Sequence, residues 1–254
     1  MRFINELKEG DNVSEVYLCK TKQALKTKAG KNYYSLILQD KTGTIDTKIW
    51  ELNSGIEHFE ALDFIKVDGQ VTTFQGTLQL NVRRVRKMQE GTYDPANYMP
   101  VSRFDIDTMY KELTGYIMRL THPYLKALAE SFFIKDAQFI KDFKSHSAAK
   151  SVHHGFVGGL LEHTLSVVKL CDFYTTRYPM LNKDLLITAA MFHDIGKTKE
   201  LSLFPANDYT DEGQLIGHIV IGVEMIHDRI REIPGFPKTL ENELKHCIVA
   251  HHGE

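Results

Sequence analysis

The stretch AAMFHDIGK, residues 189–197, sets His193 beside Asp194 at the end of an apolar run. An imidazole and a carboxylate among small apolar neighbours are costly to bury without a partner, which a metal ion or a hydrogen-bond network can supply. Histidines recur in comparable settings. His163 lies in GGLLEHTLSV with Gly159 one helical turn before it, and His193 follows Ala189 and Ala190 by one turn. His218 lies in LIGHIVIG with Gly222 one turn after, and His251 and His252 end TLENELKHCIVA just before Gly253. Residues three and four apart share a helix face. These histidines therefore occupy faces relieved by small neighbours, where another helix or a ligand can approach closely.

A lone histidine on an apolar helix is ordinarily a satisfied core residue, and His153, His154, His227 and His246 are read that way. Four separate helices each presenting histidine, one with an adjacent aspartate, point instead to metal. Imidazole with carboxylate suits Mn, Fe, Ni, Co or Zn and needs no thiolate. A carboxylate such as Asp194 can bridge two ions about 3.5–4 Å apart, the geometry used for phosphoryl chemistry. On this reading one helix end feeds both ions.

The 254 residues that must position these groups leave room for two domains. A hydrophobic fraction of 43% and a charged fraction of 25% are those of a soluble globular protein. The start, MRFINELKEG, lacks the apolar core of a signal peptide, and no window approaches a membrane span. Cys19, Cys171 and Cys247 are odd in number and far apart, which makes neither a disulfide framework nor a CxxC zinc site. A reducing cytoplasm fits best. The net charge of −2 hides an asymmetry: residues 1–90 hold 14 Lys/Arg against 12 Asp/Glu, and residues 91–254 hold 17 against 21. Ten of the twelve histidines lie between His146 and His252, so the two halves are expected to do different things.

The first half reads as strands. Residues 12–20, 32–40 and 44–51 carry β-branched and aromatic residues in partial alternation, with a turn at Asp40-Lys41-Thr42-Gly43. SGIEHFEAL (54–62) has a short helical pattern with Ser54 as N-cap. FIKVDGQVTTF and LQLNVRRVR supply two further strands around Gln75-Gly76. Three strands, a short helix and two strands is the order of a five-stranded OB barrel. Lys20, Lys22, Lys26, Lys28 and Lys31 crowd what reads as the first inter-strand loop, and residues 16–39 contain no acid. Arg83, Arg84, Arg86 and Lys87 mark the end of the last strand. OB folds meet single-stranded nucleic acid at that loop and at the face of strands two and three. Tyr33, Tyr34 and Trp50 are the candidates for stacking bases there, and alternation leaves open which of them face outward.

GTYDPANYMPVSRF (91–104), with two prolines and no periodicity, is read as the linker. Beyond it DIDTMYKELTGYIMRL and HPYLKALAESFF space apolar residues as packing helices do. The expected organisation is an OB-fold barrel over 1–90, a linker over 91–104 and an all-α bundle over 105–254.

The order His163, His193-Asp194, His218, His251-His252 resembles the HD-domain metal-dependent phosphohydrolases, whose central signature is HDIGK. With an OB domain in front, and with GGLLEHTLSV and VAHHG in their expected places, the chain resembles over essentially its whole length the YhaM family of 3′→5′ exoribonucleases. The resemblance implies metal-ligand roles for His163, His193, Asp194 and His218, with His251 or His252 on a second ion. It implies Lys197 as a cation near the scissile phosphate, against the plainer role of satisfying helix-end carbonyls. It implies Mn2+ first among divalent ions, with Co2+, Fe2+, Ni2+, Mg2+ and Zn2+ as alternatives. The implied substrate is single-stranded RNA, with single-stranded DNA as a second, and the products are nucleoside 5′-monophosphates. No membrane partner is implied, and a homo-oligomer is compatible with the sequence.

One departure bears on the site. The HD pattern ends with an aspartate on a helix downstream of the second histidine pair, and this sequence stops at Glu254. Asp208, Asp211 and Asp228 come in the wrong order to replace it. The expectation is a C-terminally truncated domain whose metal site is one carboxylate short. Two other readings stay open at this level: an HD phosphodiesterase acting on a small nucleotide, and a single-strand-binding protein with an incomplete HD site.

Overall fold

Alternation along the first ninety residues closes into a barrel. The computed structural model describes residues 1–89, 91–150 and 154–253, and the chain divides into two compact units, Met1–Pro100 and Val101–Glu254. The first holds β1 (Asn12–Lys26), β2 (Asn32–Asp40), β3 (Gly43–Ile49), β4 (Phe64–Phe74) and β5 (Thr77–Lys87). They pair in the order β1-β2-β3-β5-β4, and β1 also pairs with β4. All pairs are antiparallel except β3 with β5. This is the OB fold. Leu36 and Leu38 of β2, Ile45 and Ile49 of β3 and Leu80 of β5 point inward at period two and fill the core. Burying each such side chain favours folding by about 1.5–3 kcal/mol.

Turn chemistry fixes the register. The Asp40 carboxylate accepts from the Thr42 and Gly43 amides at 2.7 and 3.2 Å, closing the β2–β3 turn. Gln75 and Gly76 both take positive φ, 50° and 80°, as a two-residue hairpin linking β4 to β5 requires. A Cβ on Gly69 would stand 2.4 Å from the Asn81 carbonyl oxygen, so the β4–β5 bulge needs glycine there.

Two expectations change. The lysine run is largely strand: β1 extends to Lys26, so Lys20, Lys22 and Lys26 lie on it and only Lys28 and Lys31 belong to the turn. A bulge between Cys19 and Thr21 lets one long strand pair first with β4 and then with β2, and lysine is at home on such a solvated edge. Residues 54–62 form no helix. Ile56 and Phe59, spaced as on a helix, are used in an extended strap instead: Ile56 bridges to Val85 and Phe59 is buried in the barrel core.

Residues after the barrel pack back onto it. Tyr93 stacks on Phe64 at 4.0 Å, and the Lys41 amide donates to the Asn97 carbonyl at 2.8 Å. In the second unit, Val101 bridges to Val157.

That unit is helical: α1 (Ile106–Arg119), α2 (Pro123–Phe133), α3 (Ala137–Ser145), α4 (Gly159–Arg177), α5 (Lys183–Phe192), α6 (Lys197–Glu200), α7 (Asp211–Leu215), α8 (His218–Arg231) and α9 (Lys238–Val249). Asp105, Asp136, Asn182 and Thr210 cap α1, α3, α5 and α7 through side-chain bonds to backbone amides. The core gathers Phe132, Phe133, Phe139, Phe143 and Phe192 in mostly edge-on contacts. Phe192 closes α5, so this cluster anchors the backbone from which His193 and Asp194 project. Among the described residues no helix is long and apolar enough to cross a membrane.

Candidate metal centre

After Phe192 the chain tightens. Ile195 and Lys197 donate to the carbonyls of Phe192 and Asp194, three residues back. Ile195 is buried in the core, while His193 and Asp194 both line one cavity. The other ligands arrive from elsewhere: His163 from the second turn of α4, His218 as the first residue of α8, and His251 and His252 from just past α9.

Asp194 stands at the middle, 2% exposed, and its two oxygens face different groups. Oδ2 lies 3.4 Å from Nε2 of both His163 and His193, whose Nε2 atoms are 3.1 Å apart. Oδ1 lies 3.4 Å from Nε2 of His218 and 3.6 Å from that of His251. Asp194 thus belongs to two potential ligand groups, one with His163 and His193 and one with His218, His251 and His252.

The far sides of the rings are held. Nδ1 of His193 faces the Ala190 carbonyl at 2.8 Å, that of His251 the Ile248 carbonyl at 2.6 Å, and that of His218 the Glu200 carboxylate at 2.9 Å. Each acceptor obliges Nδ1 to carry the proton and turns a lone pair on Nε2 toward Asp194. Nε2 of His218, Nε2 of His251 and Oδ1 of Asp194 are buried with no hydrogen-bond partner. Inward-pointing lone pairs without donors are costly unless a cation joins them. The donor set therefore fits divalent metal, and the side chains are placed to hold it.

Protonation follows the geometry. Burial alone would raise the Asp194 carboxyl, but the imidazoles of His193 and His251 and the Lys197 ammonium outweigh it and hold the group well below the usual carboxylate range. Burial, partly opposed by Asp194, pushes His163 down to about 4, leaving a neutral imidazole. His251 moves the other way: burial would lower it, and the Asp194 carboxylate and Ile248 carbonyl raise it.

Of the residues singled out from sequence, His163, His193, Asp194, Lys197, His218, His251 and His252 come together. Lys197 Nζ donates to Asp194 Oδ2 at 2.9 Å and to the Ala148 carbonyl at 2.8 Å, so its charge is engaged at the centre. His227 lies apart, paired with Glu241 at 2.8 Å, and His246 is exposed. His153 lies outside the described residues. His154, read as a core residue, stands with its ring 5.4 Å from that of His163 and its Nε2 3.6 Å from Glu162. Glu200 was not singled out at all. It accepts from both the His218 amide and its Nδ1, at 3.1 and 2.9 Å, and so caps α8 while orienting the ring.

On the barrel, Tyr33 and Trp50 stack on each other at 4.7 Å, and Trp50 Nε1 donates to Asn81. Tyr34 turns the other way, edge-on to buried Phe59. Lys22 is drawn in with it: its Nζ lies over both rings and donates to the Phe59 carbonyl. Lys20, Lys26, Lys28 and Lys31 are exposed. Arg83 and Arg84, both turned outward at the β4–β5 bulge, border a different hollow beside Asn12, Ser14 and Asp68.

The HD domain family model matches residues 160–254. The 3′-5′ exoribonuclease YhaM of Listeria innocua is 31% identical over 252 residues, covering 96% of this chain and 78% of that protein. Among solved structures, the second OB-fold domain of replication protein A from Methanococcus maripaludis matches 36% of this chain and 98% of its own at 22% identity, with a TM-score of 0.28. The OB domain of Ta0387 from Thermoplasma acidophilum matches 37% of this chain and 90% of its own at 19% identity, with a TM-score of 0.28.

Proposed function

This chain belongs to the YhaM family of 3′-5′ exoribonucleases, and on that footing we propose that it shortens single-stranded RNA from the 3′ end, with single-stranded DNA as a second substrate. The cleavage centre in this reading is the Asp194 cluster, and the products are nucleoside 5′-monophosphates. The observation that carries it is the division of labour within one carboxylate: Asp194 gives one oxygen to His163 and His193 and the other to His218 and His251. Two divalent ions held there, Mn2+ by family resemblance, would neutralise charge on a phosphodiester and acidify the attacking water.

The chain's own groups do the rest. The Ala190 carbonyl, the Glu200 carboxylate and the Ile248 carbonyl fix a proton on the outer nitrogen of His193, His218 and His251, so the inner nitrogen of each is the one free to take a metal. Lys197 compensates the buried carboxylate and adds positive charge where a phosphate would lie. On the barrel, the Tyr33–Trp50 pair and the exposed lysines of β1 and its turn suit a strand gripped by stacking and by phosphate contacts. Three free cysteines suit a reducing cytoplasm.

A 5′-labelled oligoribonucleotide tests the reading. With Mn2+ added, a ladder that shortens from the 3′ end is expected, and EDTA abolishes it. An intact oligonucleotide, with turnover confined to mononucleotides or cyclic dinucleotides, would move the assignment to a small-nucleotide phosphodiesterase.

A further inference from the structure

The cavity at the metal centre continues past the ligands. Its volume is about 570 Å³, within the range of about 300–1,000 Å³ that holds small ligands. One end carries the histidines, Asp194 and Lys197, and the other is lined by Val167, Cys171, Leu186, Ala189, Ala190 and Cys247. Helical spacing explains the division. Residues 163, 167 and 171 follow one face of α4, residues 186, 189 and 190 lie on α5 with His193 directly past its end, and Cys247 lies in the last turn of α9 ahead of His251. At 5.4 Å per turn, Cys171 and Leu186 stand roughly two turns, about 10–12 Å, from the histidines on their own helices. That is the reach of a nucleoside from its phosphate.

The chemistry of the two ends selects the occupant. Divalent ions held by the imidazoles, with the Lys197 ammonium beside them, would suit a phosphate, and the apolar limb suits a part that is neutral and weakly hydrated. Within a nucleotide only the base answers that description. None of the six lining side chains carries a strong donor or acceptor for a base edge. The Cys171 and Cys247 thiols, both pushed up by burial, stay protonated and act as small apolar groups. Ala189 and Ala190 are the smallest of the lining side chains and fill the limb least.

We propose that this apolar limb seats the base of the 3′-terminal nucleotide and accepts all four bases alike, because its walls offer contact area without base-edge hydrogen bonds. The proposal rests on the exonuclease reading for the identity of the strand end, but its first test does not require turnover.

The intact chain with Mn2+ is treated with N-ethylmaleimide, and each cysteine is followed by mass spectrometry. Cys19, fully buried in the barrel, reports that the fold is retained. AMP, UMP, CMP and GMP should each slow alkylation of Cys171 and Cys247 severalfold and to a similar extent, while ribose 5-phosphate should not. Unchanged alkylation, equal protection by ribose 5-phosphate, or protection by a single base would overturn the base seat. In parallel, Cys171→Phe, which fills the limb, should slow strand shortening by about 10–100-fold at wild-type metal content and melting temperature. Shortening at the wild-type rate in that variant would equally overturn the seat. Protection by all four nucleotides in a wild-type chain that makes no ladder would remove the exonuclease reading and leave the base seat standing.

Discussion

Gly196 rests its backbone against His218: a Cβ at position 196 would stand 2.0 Å from the His218 carbonyl oxygen and 2.7 Å from the Gly222 amide nitrogen. The backbone of Gly196 is ordinary right-handed helix, φ −61° and ψ −19°. The glycine is therefore required by space, and alanine would be excluded although its conformation is allowed. The contact lets the first turn of α8 come near enough to bring His218 Nε2 to 3.4 Å from Asp194 Oδ1. Gly196→Ala should push α8 away, destabilise the fold by about 1–3 kcal/mol, and weaken metal binding on the His218 side first. Elemental analysis beside a thermal melt checks this; wild-type metal content and melting temperature would show that the contact does not set His218.

Asp194→Ala removes both oxygens of the bridging group together with its charge. Because each oxygen serves a different histidine group, both groups should lose metal together. The expected loss of strand cleavage is about 10³-fold, from several kcal/mol of charge stabilisation. Lys197 would retain only the Ala148 carbonyl. Metal content, circular dichroism and the oligonucleotide ladder together decide it, and a variant that keeps one ion per chain would contradict a shared carboxylate.

What the sequence disclosed follows from the range of the interactions involved. Strand β2 was legible because alternation and an Asp40 turn are local. The clustering of His163, His193 and His218 was legible because small residues one turn away announce close approach, and Gly222 does meet Gly196. The lysine run misled, since charge reports solvation and both a loop and an exposed strand are solvated. Ile56 and Phe59 misled because a spacing of three fits a helix and equally fits two plugs on an extended strap. Glu200 was invisible: its partner His218 lies eighteen residues on, and only the packing of α6 beside α8 joins them.

Glu200→Gln tests that hidden residue. Glutamine keeps an acceptor for the His218 amide and ring and loses the charge that strengthens the ring as a ligand. Metal affinity should fall about 10–100-fold, with little change in melting temperature without metal. Titration calorimetry with Mn2+ gives the answer, and unchanged affinity would make Glu200 a helix cap only.

Glu241 supplies a pH dependence away from the metal. It is 5% exposed and paired with Lys245 at 2.5 Å, His227 at 2.8 Å and Lys238 at 3.0 Å. Burial would raise its carboxyl, but hydrogen bonds from Lys245, Lys238 and His227 hold it at about 2, against 4.5 ordinarily. The folded state thus binds this proton more weakly than the unfolded chain. Its stabilisation is complete above the ordinary value and is lost as pH falls toward 2. Partners that are themselves partly exposed limit it to the order of 1–3 kcal/mol. Urea unfolding of wild type and Glu241→Gln should show a stability gap at neutral pH that closes between pH 4.5 and 2; a gap that widened with acid would reverse the sign.

Trp50 and Tyr33 present stacked rings on the outer face of β2 and β3, and Trp50 is held by Asn81. A base can stack on such a platform for about 1–3 kcal/mol, so Trp50→Ala should weaken oligonucleotide binding by about 10–100-fold. Phosphate contacts predict a different signature. Replacing Lys28 and Lys31 with glutamine should lower affinity most at low salt and flatten the salt dependence, because fewer counterions are released. Lys22→Gln should act chiefly on stability, since Lys22 already binds the Phe59 carbonyl and the Tyr34 ring. Fluorescence anisotropy at several salt concentrations separates the three. If Trp50→Ala binds as wild type while the lysine variant loses its salt slope, the barrel holds its strand by charge, and the aromatic pair belongs to the fold.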